Sequence, residues 1–233
     1  MTSTFLGEFV GTAVLIYLGN GVVANVLLKG SKGENGGWIV ITAGWAFAVT
    51  MAIYVSTKFG SPAAHLNPAV TVAEGVKTGD WSNAASFILA QMLGAIVGST
   101  LVWIQYLPHW AITEDKGLKL ACHCNAPAVR SVVPNFLAEF LATALLIIVI
   151  GSFGSIETGL GPFNVGLLVW AIGLSLGGST GYAINPARDL GPRIAHAILP
   201  IAGKGSSDWS YSWIPVAGPI AGAAVGGLIL TMI

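Results

Sequence analysis

The chain has 233 residues, of which 54% are hydrophobic and only 9% are charged, and its mean hydropathy is +0.76. So little polar surface excludes an ordinary water-soluble globule and places the chain in lipid. Ten basic residues balance ten acidic ones, so no net field exists to draw a nucleic acid or a polyanionic substrate.

The start, MTSTFLGEFVG, is apolar and carries no Lys or Arg before Lys29. It lacks the charged beginning of a cleaved export signal and reads as the first span. Six stretches are long and apolar enough to cross a bilayer as helices: approximately 5–28, 38–57, 84–107, 134–153, 163–182 and 211–232. Clusters of Gly, Ser, Asn and Pro at 30–37, 154–162 and 203–208 read as loops. The connector 108–133, with Glu114, Asp115, Lys116, Lys119 and Arg130, reads as a solvated loop. Trp103, Tyr106 and Trp110 at one span end, and Trp209, Tyr211 and Trp213 at another, fit an interfacial aromatic belt.

Cys122 and Cys124 flank His123. A bridge between such close neighbours would close a tiny, strained loop, so they read as free thiols in a polar connector, with a transition-metal or redox site as the alternative. Small residues recur at four-residue spacing in Gly94 and Gly98, and in Gly218, Gly222 and Gly226. That spacing lets helix backbones approach closely where lipid supplies no hydrophobic drive between them.

Two further segments, Pro68–Lys77 and Pro186–Leu199, are too short to span, begin with Pro in the first turn and follow Asn at the cap position. They read as half-helices, so the chain order is span, span, half-helix, span, twice over. An internal echo supports the division, because Leu6-Gly-Glu8-Phe9-Val-Gly-Thr12-Ala13 matches Leu137-Ala-Glu139-Phe140-Leu-Ala-Thr143-Ala144. With three full spans per unit, the second copy enters the membrane with opposite polarity to the first. The expectation is an all-α membrane protein: residues 1–233 as one transmembrane domain, in inverted repeats of approximately 1–110 and 130–233.

In such an inverted pair the half-helices enter from opposite sides and meet near the midplane with both N-termini at one spot. Unpaired N–H groups and the positive dipole ends then repel cations. Asn67 and Asn185 cap these helices with their side-chain oxygens and turn amide donors toward a passing water or hydroxyl, interrupting a proton wire. Pro68 and Pro186 set backbone geometry, and Ala69 and Ala187 allow close packing. One Asn-Pro-Ala alone is weak evidence, since Asn-Pro also begins ordinary turns, but two copies, each after the second span of a half, are much stronger.

On these residues the whole chain resembles the aquaporin or major intrinsic protein family, in the Glu-Phe openings, His65-Leu66-Asn67-Pro68-Ala69-Val70-Thr71 and Asn185-Pro186-Ala187-Arg188-Asp189. The resemblance implies a channel with a central pore in each subunit, a homotetramer, and both termini in the cytoplasm. It also implies that Arg188, Trp45, Gly173 and Tyr182 form the narrowest point. Gly173 stands where water-selective members have His, which with Asp189 resembles the aquaglyceroporin branch. Tyr182 stands where that branch has Phe, its hydroxyl either narrowing the passage or adding a hydrogen bond. Read individually, Arg188 is a costly charge in the membrane, functional or else paired with Asp189, while Trp45, Gly173 and Tyr182 are packing residues unless they act jointly.

The expected function is passive conduction of glycerol and small uncharged solutes, with some water, across the cell membrane. Undissociated lactic acid and urea fit by size, whereas ions and protons are excluded. No enzyme activity, cofactor, metal or nucleic acid is called for, and the bilayer is the expected surrounding. Glu8 and Glu139 lie at matching places inside apolar spans. The resemblance makes them acceptors for pore-loop N–H groups; the alternative, a proton-coupled secondary transporter of a small polyol or hydroxy acid, would use them to carry protons. His65 either lines the lumen or bonds the loop backbone. His109 and His196 read as structural or interfacial.

Charge conflicts with the implied orientation. Loops facing outward would carry Lys29, Lys32, Lys116, Lys119, Arg130 and Lys204, and inward ones chiefly Lys58 and Lys77, whereas positive charge normally favours the inside.

Overall fold

The computed structural model describes residues 3–153 and 160–233. Ten helices stand among the described residues: α1 (Thr4–Leu27), α2 (Trp38–Lys58), α3 (Pro68–Thr78), α4 (Ala84–Gln105), α5 (Leu107–Ile112), α6 (Lys116–Ala121), α7 (Val132–Ser152), α8 (Gly161–Ser175), α9 (Pro186–Ile198) and α10 (Ile214–Leu230). Of these, α1, α2, α4 and α7 are long and apolar enough to cross a membrane, and α8 and α10 are shorter apolar helices. Most of the loop assigned to 154–162 lies outside the described residues.

The fifth expected span, 163–182, is a correction. Its helix α8 stops at Ser175, and residues 176–185 form the turn and extended chain leading into α9. Apolar periodicity cannot see this end, but Gly177, Gly178 and Gly181, the last at φ +78°, break the helix.

Much of the packing recurs in the two halves, although α1 lies broadly against α2 whereas α7 only touches α8. α1 lies against α2 and α4, α7 against α10, and each half-helix also reaches the last long helix of the other half: α3 packs on α10 and α9 on α4. The close approaches correspond. A Cβ on Gly94 would stand 2.3 Å from the Phe9 carbonyl oxygen, and one on Gly222 would stand 2.2 Å from that of Phe140. Only glycine lets these backbones come so near in lipid.

Outside, Ile39, Leu89 and Leu141 are among many large apolar residues left exposed, while Glu8, Asn20, Gln91, Glu139, Asp189 and Arg193 are buried. This is an inside-out polarity that only a hydrocarbon surrounding satisfies, and the chain is a multi-pass membrane protein.

The connector is a second correction. It is solvated only in part: Glu114, Asp115, Lys116 and Arg130 stay exposed, but the chain folds into α5 and α6 and then dives inward, burying Trp110, Lys119 and every residue from Cys122 to Asn125. Asn20 on α1 donates to the His123 carbonyl at 3.0 Å, and Arg193 on α9 donates to that of Asn125 at 2.8 Å. These bonds satisfy backbone groups that would otherwise be stranded. Trp110 and Tyr211, both buried, therefore leave the aromatic belt, whereas Trp209 and Trp213 remain exposed. Cys122 and Cys124 are free and buried, and no metal-holding group of three or more His, Cys, Asp or Glu exists among the described residues. His196 is structural: fully buried, its Nδ1 lies 2.9 Å from Ser207 Oγ.

Candidate functional site: two facing half-helices

Asn67 caps α3, its Oδ1 accepting from Ala69 N at 2.8 Å, and Asn185 caps α9, accepting from Ala187 N at 3.0 Å and Arg188 N at 3.2 Å. Pro68 and Pro186 open the helices at the position where a missing N–H costs nothing. Ala69 and Ala187 are completely buried. The two caps then cross. Asn67 Nδ2 donates to the Ile184 carbonyl at 2.8 Å, and Asn185 Nδ2 donates to the Leu66 carbonyl at 2.9 Å. One N–H of each amide is thus used between the loops, which leaves each with a second donor.

The two loops share an unusual backbone. Ala64 and Leu66, three and one residues before Asn67, have φ of +43° and +53°; Tyr182 and Ile184, at the same offsets before Asn185, have +42° and +43°. Left-handed geometry at a non-glycine residue costs about 1–3 kcal/mol each and persists only where surroundings enforce it. Two carboxylates do so. Glu8 accepts from His65 N at 2.9 Å and Leu66 N at 2.7 Å, and also from Ser61 Oγ and Gln91 Nε2. Glu139 accepts from Ala183 N and Ile184 N, each at 2.9 Å. Both are therefore occupied as anchors of loop backbone.

A cavity of about 360 Å³ runs beside these caps. Its wall includes Asn67, Asn185, His65, Trp45, Tyr182 and Arg188. Along α2 the lining extends from Trp45 to Thr57, a length of about 18 Å at 1.5 Å per residue. Leu15, Val49, Ile53, Val70 and Val169 make most of the remaining wall apolar. His65 borders the cavity; its Nδ1 lies 3.1 Å from the Thr71 side-chain Oγ1 and its backbone N–H donates to Glu8.

Arg188 stands at one end, its guanidinium 4.2 Å from the Trp45 ring centroid and its Nη1 3.5 Å from the His123 carbonyl. Asp189 makes no salt bridge with it among the described residues. Asp189 instead pairs with Arg193 one turn along α9, at 2.8 Å with both side chains fully buried, and accepts from Asn125 N at 2.7 Å. The Arg188 charge is thereby left for the cavity, held against an aromatic face.

Gly173 is not a cavity-wall residue. The Tyr182 ring occupies the space above it: a Cβ there would lie 2.8 Å from Tyr182 Cζ and 3.0 Å from its Oη. The Tyr182 hydroxyl is buried with no hydrogen-bond partner. Gly173 therefore sets the wall through Tyr182, which itself borders the cavity.

Arg193 and Gln91 belong to this site and were not singled out from sequence. Arg193 had a signal, its spacing of four from Asp189 on one short helix. Gln91 had another, a polar residue inside an apolar span; it joins Glu8 to Thr71 Oγ1.

The charge conflict also changes once contacts are known. Lys204 donates to the carbonyls of His196, Ala197 and Leu199, closing the C-terminal end of α9. Lys119 donates to the Ala202 carbonyl, and Arg130 pairs with Asp208. Three of the charges counted for topology are spent on internal contacts.

Comparison with known proteins gives one pattern. The family described as Major intrinsic protein matches residues 1–230. A probable glycerol uptake facilitator protein of Thermotoga maritima is 54% identical over 227 residues, covering 96% of each chain. The glycerol uptake facilitator protein of Streptococcus pneumoniae strain R6 is 51% identical over 235 residues, covering 100% of both. The crystal structure of the aquaglyceroporin from Plasmodium falciparum superposes with a TM-score of 0.84 at 30% identity, covering 98% of this chain and 95% of that one.

Proposed function

Since the chain belongs to the major intrinsic protein family, we propose that the cavity beside Asn67 and Asn185 is its permeation path, selective for glycerol and small uncharged solutes at Arg188, Trp45 and Tyr182. The protein is a glycerol-facilitator channel of the membrane and not an enzyme.

The observation that carries the proposed path is the crossed pair of Asn caps at the wall of one cavity that is also lined by Arg188, whose guanidinium lies over Trp45. Two helix N-termini and a guanidinium repel cations along the same route. The remaining amide donors meet solute oxygens, while Trp45 and the Tyr182 ring offer apolar walls to C–H groups. Gly173 acts by seating that ring, and Pro68, Ala69, Pro186 and Ala187 act by shaping the helix starts.

Glu8, Glu139 and Asp189 support the path: the first two hold its loops, and the third pairs with Arg193 and not with Arg188. Carboxylates so engaged make poor proton carriers, which argues against coupled transport. The two halves 1–110 and 130–233 work as inverted repeats of one channel domain. Water, urea and undissociated lactic acid are minor permeants. The working unit is a homotetramer in the cell membrane with both termini cytoplasmic; the internal use of Lys119, Lys204 and Arg130 weakens the charge argument against that orientation.

Purified protein in liposomes tests the reading. Stopped-flow measurements should give glycerol permeability well above that of empty vesicles, with no sodium or potassium leak. Arg188→Ala should open a cation leak; its absence would remove Arg188 from the barrier.

A further inference from the structure

Trp38 does not line the cavity beside the Asn caps and is 41% exposed at the first turn of α2, yet it touches the selective end of the passage at second hand. Its indole Nε1 donates to the Gly173 carbonyl at 3.0 Å. That carbonyl belongs to the last turn of α8, where helical partners run out and an outside donor is needed. The same indole stands edge-on to Tyr182, ring centroids 5.9 Å apart at 82°, a favourable aromatic geometry. A Cβ on Gly177 would meet Tyr182 Cδ1 at 2.4 Å and Trp38 Cζ2 at 2.9 Å. Tyr182 is thus enclosed by Gly173, Gly177 and Trp38 on the sides away from the cavity.

We propose that Trp38 is a positioning residue for the solute filter: it clamps the Tyr182 ring into the niche over Gly173 and so fixes the width of the passage beside Arg188. The hydroxyl of Tyr182 takes no part, being enclosed without a partner. The inference rests on the channel reading and adds a residue outside the passage. It has a directional consequence, because removing the backing should let the ring retreat and widen the passage, whereas filling the niche should push it forward.

The test uses the full chain in liposomes, with water, glycerol and a four-carbon polyol as probes. Trp38→Ala should raise the ratio of four-carbon polyol to glycerol permeability about tenfold, the scale expected when a pocket changes by one small group. Trp38→Phe keeps an aromatic edge without the N–H and should give a smaller rise, so it carries the test if the alanine variant does not fold. Gly173→Ala should act oppositely, lowering glycerol relative to water. In a Tyr182→Ala background, Trp38→Ala should add nothing. Unchanged ratios in both Trp38 variants, a uniform slowing of all three probes, or an equal shift without Tyr182 would overturn the proposal. A wild-type glycerol rate no higher than that of empty vesicles would instead overturn the conduit, and this refinement with it.

Discussion

Asn67 and Asn185 are tied to each other's loops: each amide donates to the carbonyl immediately preceding the other asparagine, at 2.8 and 2.9 Å. The two half-helices are thus joined at their starts, and neither loop is independent of the other.

Replacing either asparagine by aspartate separates the two uses of the side chain. Aspartate still caps the helix, but it loses the crossing donor and sets a negative charge against a carbonyl. Asn185→Asp should destabilise the protein by about 1–3 kcal/mol and weaken cation exclusion. Thermal unfolding in detergent and vesicle potassium leak check the two effects; a variant unchanged in both would show that the crossing bond is idle.

Glu8 and Glu139 should differ when neutralised. Glu8 serves four donors, two of them side chains, whereas Glu139 serves three: the backbones of Ala183 and Ile184 and the Thr180 side chain. Glutamine turns one acceptor into a donor that faces these groups. Glu8→Gln should therefore lower the unfolding temperature more than Glu139→Gln, and the reverse order would contradict the anchoring account.

The Asp189–Arg193 pair is fully buried, so breaking one side strands a charge, at a cost of about 3–5 kcal/mol. Asp189→Asn should sharply reduce the yield of folded protein. The double variant Asp189→Asn with Arg193→Gln should recover much of it, which recovery of folded protein on size-exclusion chromatography can measure.

Acid should loosen the connector. Burial, then the neighbouring His196 and Lys204, push the His123 imidazole down to about 3 from its usual 6.5. The folded chain refuses a proton that the unfolded chain accepts, so stability is undiminished above about 6.5 and declines as pH falls from there toward 3. Unfolding temperatures at pH 7, 5 and 4 should drop less for His123→Gln than for the unaltered chain; equal slopes would contradict the assignment.

The parts legible in sequence were those with local signatures. Apolar runs marked α1, α2, α4 and α7, while the Asn-Pro pairs marked the starts of α3 and α9 at Pro68 and Pro186, with their ends one residue from those expected. What escaped depended on contacts distant along the chain. The connector looks polar because its burial is arranged by Asn20 and Arg193, at separations of 103 and 68 residues. Gly173 reads as open space until Tyr182, nine positions later and at positive φ, folds over it. Likewise, Asp189 sits beside Arg188 in sequence, but the helix turns its carboxylate to Arg193.

Glycerol uptake into proteoliposomes, followed with and without an imposed proton gradient, tests the central claim most directly. The account predicts uptake that rises in proportion to the glycerol gradient, stops at equal concentration and ignores pH. Accumulation above the outside concentration, driven by protons, would contradict it.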